Sequence, residues 1–176
     1  MRRLSLILLA ACALAVPAAA QTKVTGRQTC PKPDTLQVIP IGDAPGHALM
    51  ISKTTCTWPA PMAIAGLKTT NAVNIETDEA WGANVTAHGY GMATMDNGDT
   101  FFVKYSGTAK MNQDGSSTFR GTWTFSKGTG KLAGISGSGS YGGTGAADGT
   151  GSVDVHGTYT IGKPAAAPAP AAKPAT

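Results

Sequence analysis

The chain has 176 residues, 23 of them glycine, and a formal net charge of +4. Two of the positive charges, Arg2 and Arg3, open an apolar leader, and no basic cluster or basic–aromatic interleaving follows. The composition therefore argues against a nucleic-acid partner, and the scarcity of helix formers argues for a β-protein.

The leader, "MRRLSLILLAACALAVPAAA", has the parts of an export signal: a basic start, an apolar run from Leu4 to Val16, and small residues Ala18 to Ala20. It predicts cleavage before Gln21 and a periplasmic or secreted protein. "LAAC" at Leu9 to Cys12 resembles a lipoprotein box, the alternative in which Cys12 is lipidated instead of removed. A membrane-spanning helix needs ~20 apolar residues, and no second run of that kind exists. After cleavage Cys30 and Cys56 remain as an even pair in an oxidising compartment. They predict a disulfide that closes a loop of ~25 residues. No CxxC motif or histidine spacing suggests a metal or a cofactor.

Residues 21–45 carry prolines at 31, 33 and 40 and are read as an irregular segment; residues 46–161 are read as one β-domain. Gly46 to Thr54 is the first strand candidate. "NAVNIETD" alternates so that Val73 and Ile75 claim the inside, leaving Glu76, Asp78 and Glu79 on a solvated outer face; the alternative is that two of these carboxylates share a proton or bind a cation. Trp81 is expected to cap a barrel end. Val85 to Met95, Thr100 to Met111 and Ser117 to Ser126 form a meander, joined at Asn97-Gly98 and Asp114-Gly115. In it Phe101, Val103 and Tyr105 share one face, and so do Phe119, Gly121, Trp123 and Phe125.

"KGTGKLAGISGSGSY" (Lys127 to Tyr141) is a turn and then a strand, with Ile135, Gly137, Gly139 and Tyr141 on one face and serines on the other. Glycine inside a strand marks a bend or a close approach by a bulky neighbour. A phosphate loop would need a following helix and a Lys-Ser/Thr pair at its start, and neither is present. Gly151 to Ile161 is the last strand, with Val153, Val155, Gly157 and Tyr159 on one face. Gly162 to Thr176 is rich in Ala and Pro, without large apolar residues, and is read as a disordered tail.

"GTWTFSKGTGKLAGISGSGSY…GTYTI" resembles the allene oxide cyclase barrel-like family, relatives of the dirigent proteins among calycin-type barrels. The resemblance rests on Trp123 and Phe125, the turn Gly128-Thr129-Gly130, the glycines 134, 137 and 139, and Gly157 to Tyr159. It implies an eight-stranded antiparallel barrel, often assembled as a trimer, and transfers no catalytic residue.

Chemistry is less well marked. His88, Tyr90 and Met92 share a face of their strand, opposite Ala87, Gly89 and Gly91, and either face is able to point inward. With His88 inside, these three join Trp123 and Tyr141 around a small apolar ligand, His88 being an acid–base candidate. His47 and His156 are expected to be exposed. A ligand-binding module is the leading expectation and a cyclase- or isomerase-like enzyme the alternative. An enzyme needs an open lumen with a buried titratable group, His88 or Glu76, whereas a purely structural barrel has its lumen blocked by Phe101, Phe119, Trp123 and Tyr159.

Overall fold

The computed structural model describes residues 21–163; the predicted signal, with Cys12, and the tail beyond residue 163 lie outside them. Ten strands follow in order: β1 (Thr22–Cys30), β2 (Thr35–Pro40), β3 (His47–Ala60), β4 (Ala63–Ile64), β5 (Leu67–Trp81), β6 (Asn84–Met95), β7 (Thr100–Met111), β8 (Ser117–Gly128), β9 (Ile135–Gly145) and β10 (Gly151–Ile161). Among the described residues there is no α-helix, and one short 3-10 turn spans Gly130–Leu132.

Eight of the strands close into an antiparallel barrel in the order β3-β1-β10-β9-β8-β7-β6-β5. β5 then returns to β3 along the register His47↔Trp81 to Thr57↔Asn71, which completes the cylinder. The two remaining strands are appendages. β2 lies alone on the edge of β3, and β4 is a two-residue strand paired with the start of β5. The tight turns fall where the sequence places them, with Gly98 and Gly115 both at positive φ.

Two readings of the sequence are corrected. Residues 21–45 are largely ordered strand, and the barrel starts at Thr22, not at residue 46. β1 pairs with β10 over its whole length, from Thr22↔Tyr159 to Cys30↔Gly151. Its inward residues, Val24, Gly26, Gln28 and Cys30, include only one large apolar side chain, so the alternation carries little hydrophobic contrast.

The second correction concerns β5. Ala72 is buried, Ile75 is 47% exposed, and Glu76 and Asp78 line the interior. A bulge between Thr69 and Asn71 shifts the register against β6. Leu67 and Thr69 face in before it, and Ala72, Asn74, Glu76 and Asp78 face in after it. Such a bulge re-aims every later side chain of its strand. The outer wall nearby is itself apolar, with Ile39, Leu49, Ile51 and Ile75 all exposed, so hydrophobicity does not mark the inner face there.

One end of the barrel is sealed. Met62, Ile64 and Leu67 from the β4–β5 hairpin meet Met95, Phe101, Phe125, Leu132 and Ile135 in a continuous apolar cluster. The Tyr159 hydroxyl ties the hairpin down by accepting a hydrogen bond from the Ala65 amide at 2.9 Å. Thr69 closes the hairpin base, its Oγ1 accepting from the Met62 amide at 2.9 Å.

Above this floor, aromatic rings lie flat against glycines on neighbouring strands. Trp123 crosses Gly139 and Gly157, Trp58 crosses Gly26, Tyr105 covers Gly89, and Tyr141 spans Gly121 and Gly107. A side chain at any of these glycines would collide with the ring above it. The serine–glycine stretch is thus a strand whose glycines make room for Trp123.

Candidate functional site

The sealed floor leaves a cup of about 450 Å³ open at the opposite end. That volume is within the range of small-molecule sites, and an eight-stranded barrel is just wide enough to hold one such ligand. Its walls are mostly apolar: Trp58, Met62, Phe101, Trp123 and Phe125 below, Met50, Val103 and Phe119 above. Leu36 of β2 also borders it, at the mouth.

Polar groups enter in two tiers. In the lower tier Gln28, only 9% exposed, meets Asn74. The Asn74 amide donates to Gln28 Oε1 at 3.4 Å and lies 3.3 Å from Cys56 Sγ. The upper tier is Glu76 and Asp78, placed two residues apart on the inner face of β5, with Tyr105 and Tyr141 facing them across the lumen.

The glycines explain how the tyrosines reach the carboxyls. Tyr105 pairs with Gly89, and Gly89 pairs with Glu76, so a ring lying over Gly89 carries its hydroxyl toward Glu76. Tyr141 pairs with Gly121, Gly121 with Gly107, Gly107 with Ala87, and Ala87 with Asp78. Its ring crosses both glycines toward the same carboxyls.

Burial raises the Glu76 carboxyl above its ordinary range, with the Tyr105 hydroxyl and Asp78 opposing the shift. Asp78 is pushed up to about 7, first by burial and then by the charge of Glu76. Two neighbouring carboxylates in a low-dielectric wall resist joint ionisation and titrate as a unit. Below about pH 7 Asp78 keeps its proton beside Glu76. Asp78 Oδ1 is buried and has no hydrogen-bond partner. Tyr105 is driven upward by burial and by Glu76, and Tyr141 is pushed up to about 12 by burial and both carboxyls, so both phenols stay neutral donors.

This arrangement makes stability depend on pH. The unfolded chain loses the Asp78 proton near pH 4, whereas the folded pair keeps it to about 7. Stability therefore falls as pH rises through that interval and stays reduced above it. Because the pair opens onto the cup, screening holds the effect to roughly 1–2 kcal/mol. Asp78→Asn is expected to flatten the slope, read as a smaller difference between urea midpoints at pH 5 and pH 8.

Gly89→Ala is expected to cost about 1–3 kcal/mol, since the new Cβ falls inside the Tyr105 ring and turns it into the cup. Tyr105→Phe, which removes only the hydroxyl, provides the comparison, and urea unfolding of both variants measures the packing effect apart from the lost hydrogen bond.

The candidate ligand residues separate. Trp123 and Tyr141 line the cup. His88 and Tyr90 are exposed on the outer wall, where Tyr90 stands 5.8 Å from Lys104 Nζ. Met92 shares their strand parity, is half-buried, and borders the cavity. The disulfide Cys30–Cys56 is present. Glu76 and Asp78, expected on the outer face, line the lumen together with Tyr105, because the β5 bulge that turns the two carboxyls inward leaves no mark in the alternation.

His156 is exposed as expected, but the His47 side chain is only 9% exposed. It lies between Asp43 and Glu79, with Glu79 Oε1 3.1 Å from Nε2, and its ring centre is 4.1 Å from that of Trp81. The Asp43 hydrogen bond raises its proton affinity. Trp81 thus packs outside the barrel beside the β2–β3 connection and does not cap the lumen. Among the described residues no His, Cys, Asp and Glu group of metal-binding size occurs.

Compared with known proteins, the chain matches no family model and no curated sequence.

Proposed function

We propose that this chain is an exported binding protein that holds one small, largely apolar molecule in the barrel lumen, with a polar end against Glu76 and Asp78. The observation that carries this reading is the half-filled barrel. Apolar side chains seal one end, yet above Trp123 the lumen stays open over about 450 Å³. A barrel serving only as scaffold gains from filling such space, because each unfilled methyl-sized gap costs on the order of 1 kcal/mol. The resemblance to allene oxide cyclase-like barrels and the export signal both agree with this role.

A second reading is favoured by one feature, the neighbouring Glu76 and Asp78 carboxyls on the lumen wall near Tyr105, with Asp78 pushed up to about 7. Such a pair is able to give and take a proton near neutral pH, as a cyclase- or isomerase-like enzyme acting on an apolar substrate would require.

Mass spectrometry of small molecules released from protein purified after native export tests the binding role. A single co-purifying compound is the expected result; a clean sample from native export counts against it. His88→Ala is expected to retain the compound unchanged, since His88 lies on the outer wall.

A further inference from the structure

We propose that the lumen selects ligands bearing a basic amine on an apolar body, the ammonium group seated between Glu76 and Asp78. This deepens the lumen-binding reading and rests on it.

The charge inventory of the cup leads there. Two carboxyls line it, and among the described lining residues there is no lysine, arginine or histidine. A carboxylate-bearing ligand would meet two acids and no cation. A neutral ligand leaves the pair in need of its proton. A monovalent cation replaces that proton and lets both carboxyls ionise against it, forming charge-assisted hydrogen bonds in a low-dielectric wall. The surroundings suit an organic cation: Tyr105, Tyr141 and Phe119 present aromatic surface near the carboxyls.

A metal ion fits less well. Two carboxyls fall short of the six or more oxygens calcium takes, and no third acidic, histidine or cysteine ligand joins them among the described residues.

The test uses three probes with one apolar body: 1-naphthylmethylamine, 1-naphthalenemethanol and 1-naphthoate. Each is titrated into the full mature protein by calorimetry at pH 7, in two buffers of different ionisation heat. The amine is expected to bind at least about tenfold more tightly than the alcohol, the gain of one charge-assisted contact. The carboxylate is expected to bind weakest. Amine binding should release up to about one proton, seen as a buffer-dependent heat, because the Asp78 proton leaves the pair. In Glu76→Gln/Asp78→Asn the preference and the proton release should vanish while the alcohol still binds, which also shows the lumen intact. Equal binding of amine and alcohol by the unaltered protein, or tighter binding of naphthoate, overturns the amine assignment and leaves lumen binding standing. Failure of all three probes at millimolar concentration overturns lumen binding itself.

Discussion

Trp123→Ala is expected to cost about 3–5 kcal/mol, the range for deleting a buried indole. Trp123 is 5% exposed and lies across two glycine positions on two neighbouring strands, Gly139 and Gly157. Its ring packs edge-on against Phe125 at 4.9 Å, and Phe125 packs edge-on against Phe101 at 5.2 Å. The indole N–H donates to the Ser140 carbonyl at 3.2 Å. Truncation strips β9 and β10 of the side chain that covers both glycines, and neither glycine has a Cβ with which to close the gap. The result is read from urea unfolding. Trp123→Phe should recover part of the loss by covering one glycine and not the other. A cost below about 1 kcal/mol would mean that the ring does not fill this gap.

That ring-over-glycine packing is legible in the sequence because bulk and its absence are written side by side. Phe119, Gly121, Trp123 and Phe125 alternate on β8, and Gly137, Gly139 and Tyr141 alternate on β9. The two strands pair so that Trp123 sits opposite Gly139 and Tyr141 opposite Gly121. Large faces small across the seam, and both members keep the same parity. β6 was open to either face because Ala87, Gly89 and Gly91 carry no bulk, while His88, Tyr90 and Met92 carry bulk without a clear polarity. The structure turns the small face inward, since Tyr105 needs Gly89.

β5 misleads for another reason. Up to Thr69 its inward residues are odd-numbered, and extending that parity would bring Val73 and Ile75 inside. The extra residue at the bulge reverses it and brings in two carboxyls instead. The hydrophobic gain from burying Ile75 is lost, and burying Glu76 and Asp78 is unfavourable until Asp78 keeps its proton and the pair meets Tyr105. A strand accepts such an exchange where the inward groups have a use, which is why the least legible stretch of the barrel is also the one with chemistry.

Removing the Cys30–Cys56 disulfide is expected to cost about 3 kcal/mol in the chain-entropy model, and the seam it guards should open first. The bond links residues 26 apart in sequence and joins the end of β1 to β3. Every other seam of the cylinder is a long ladder, but β1 and β3 share only Arg27↔Ala60 and Thr29↔Thr57, with an irregular step between them. Beyond Cys30 the chain leaves the ladder, and β2 takes up pairing with β3 at Thr35↔Lys53. Closure therefore depends on a short junction that few backbone hydrogen bonds hold. Cys56 is fully buried beside Asn74 and Gln28, so the sulfur also packs the lower polar tier. Cys30→Ala/Cys56→Ala should lower the urea midpoint and steepen its slope, because the unfolded chain, freed of its cross-link, exposes more surface. Hydrogen exchange should rise at Thr29, Thr57 and Ala60 before it rises in the β7–β8 ladder. If all strands lost protection together, the β1–β3 junction would be as cooperative as the rest, and the barrel would not owe its closure to the disulfide.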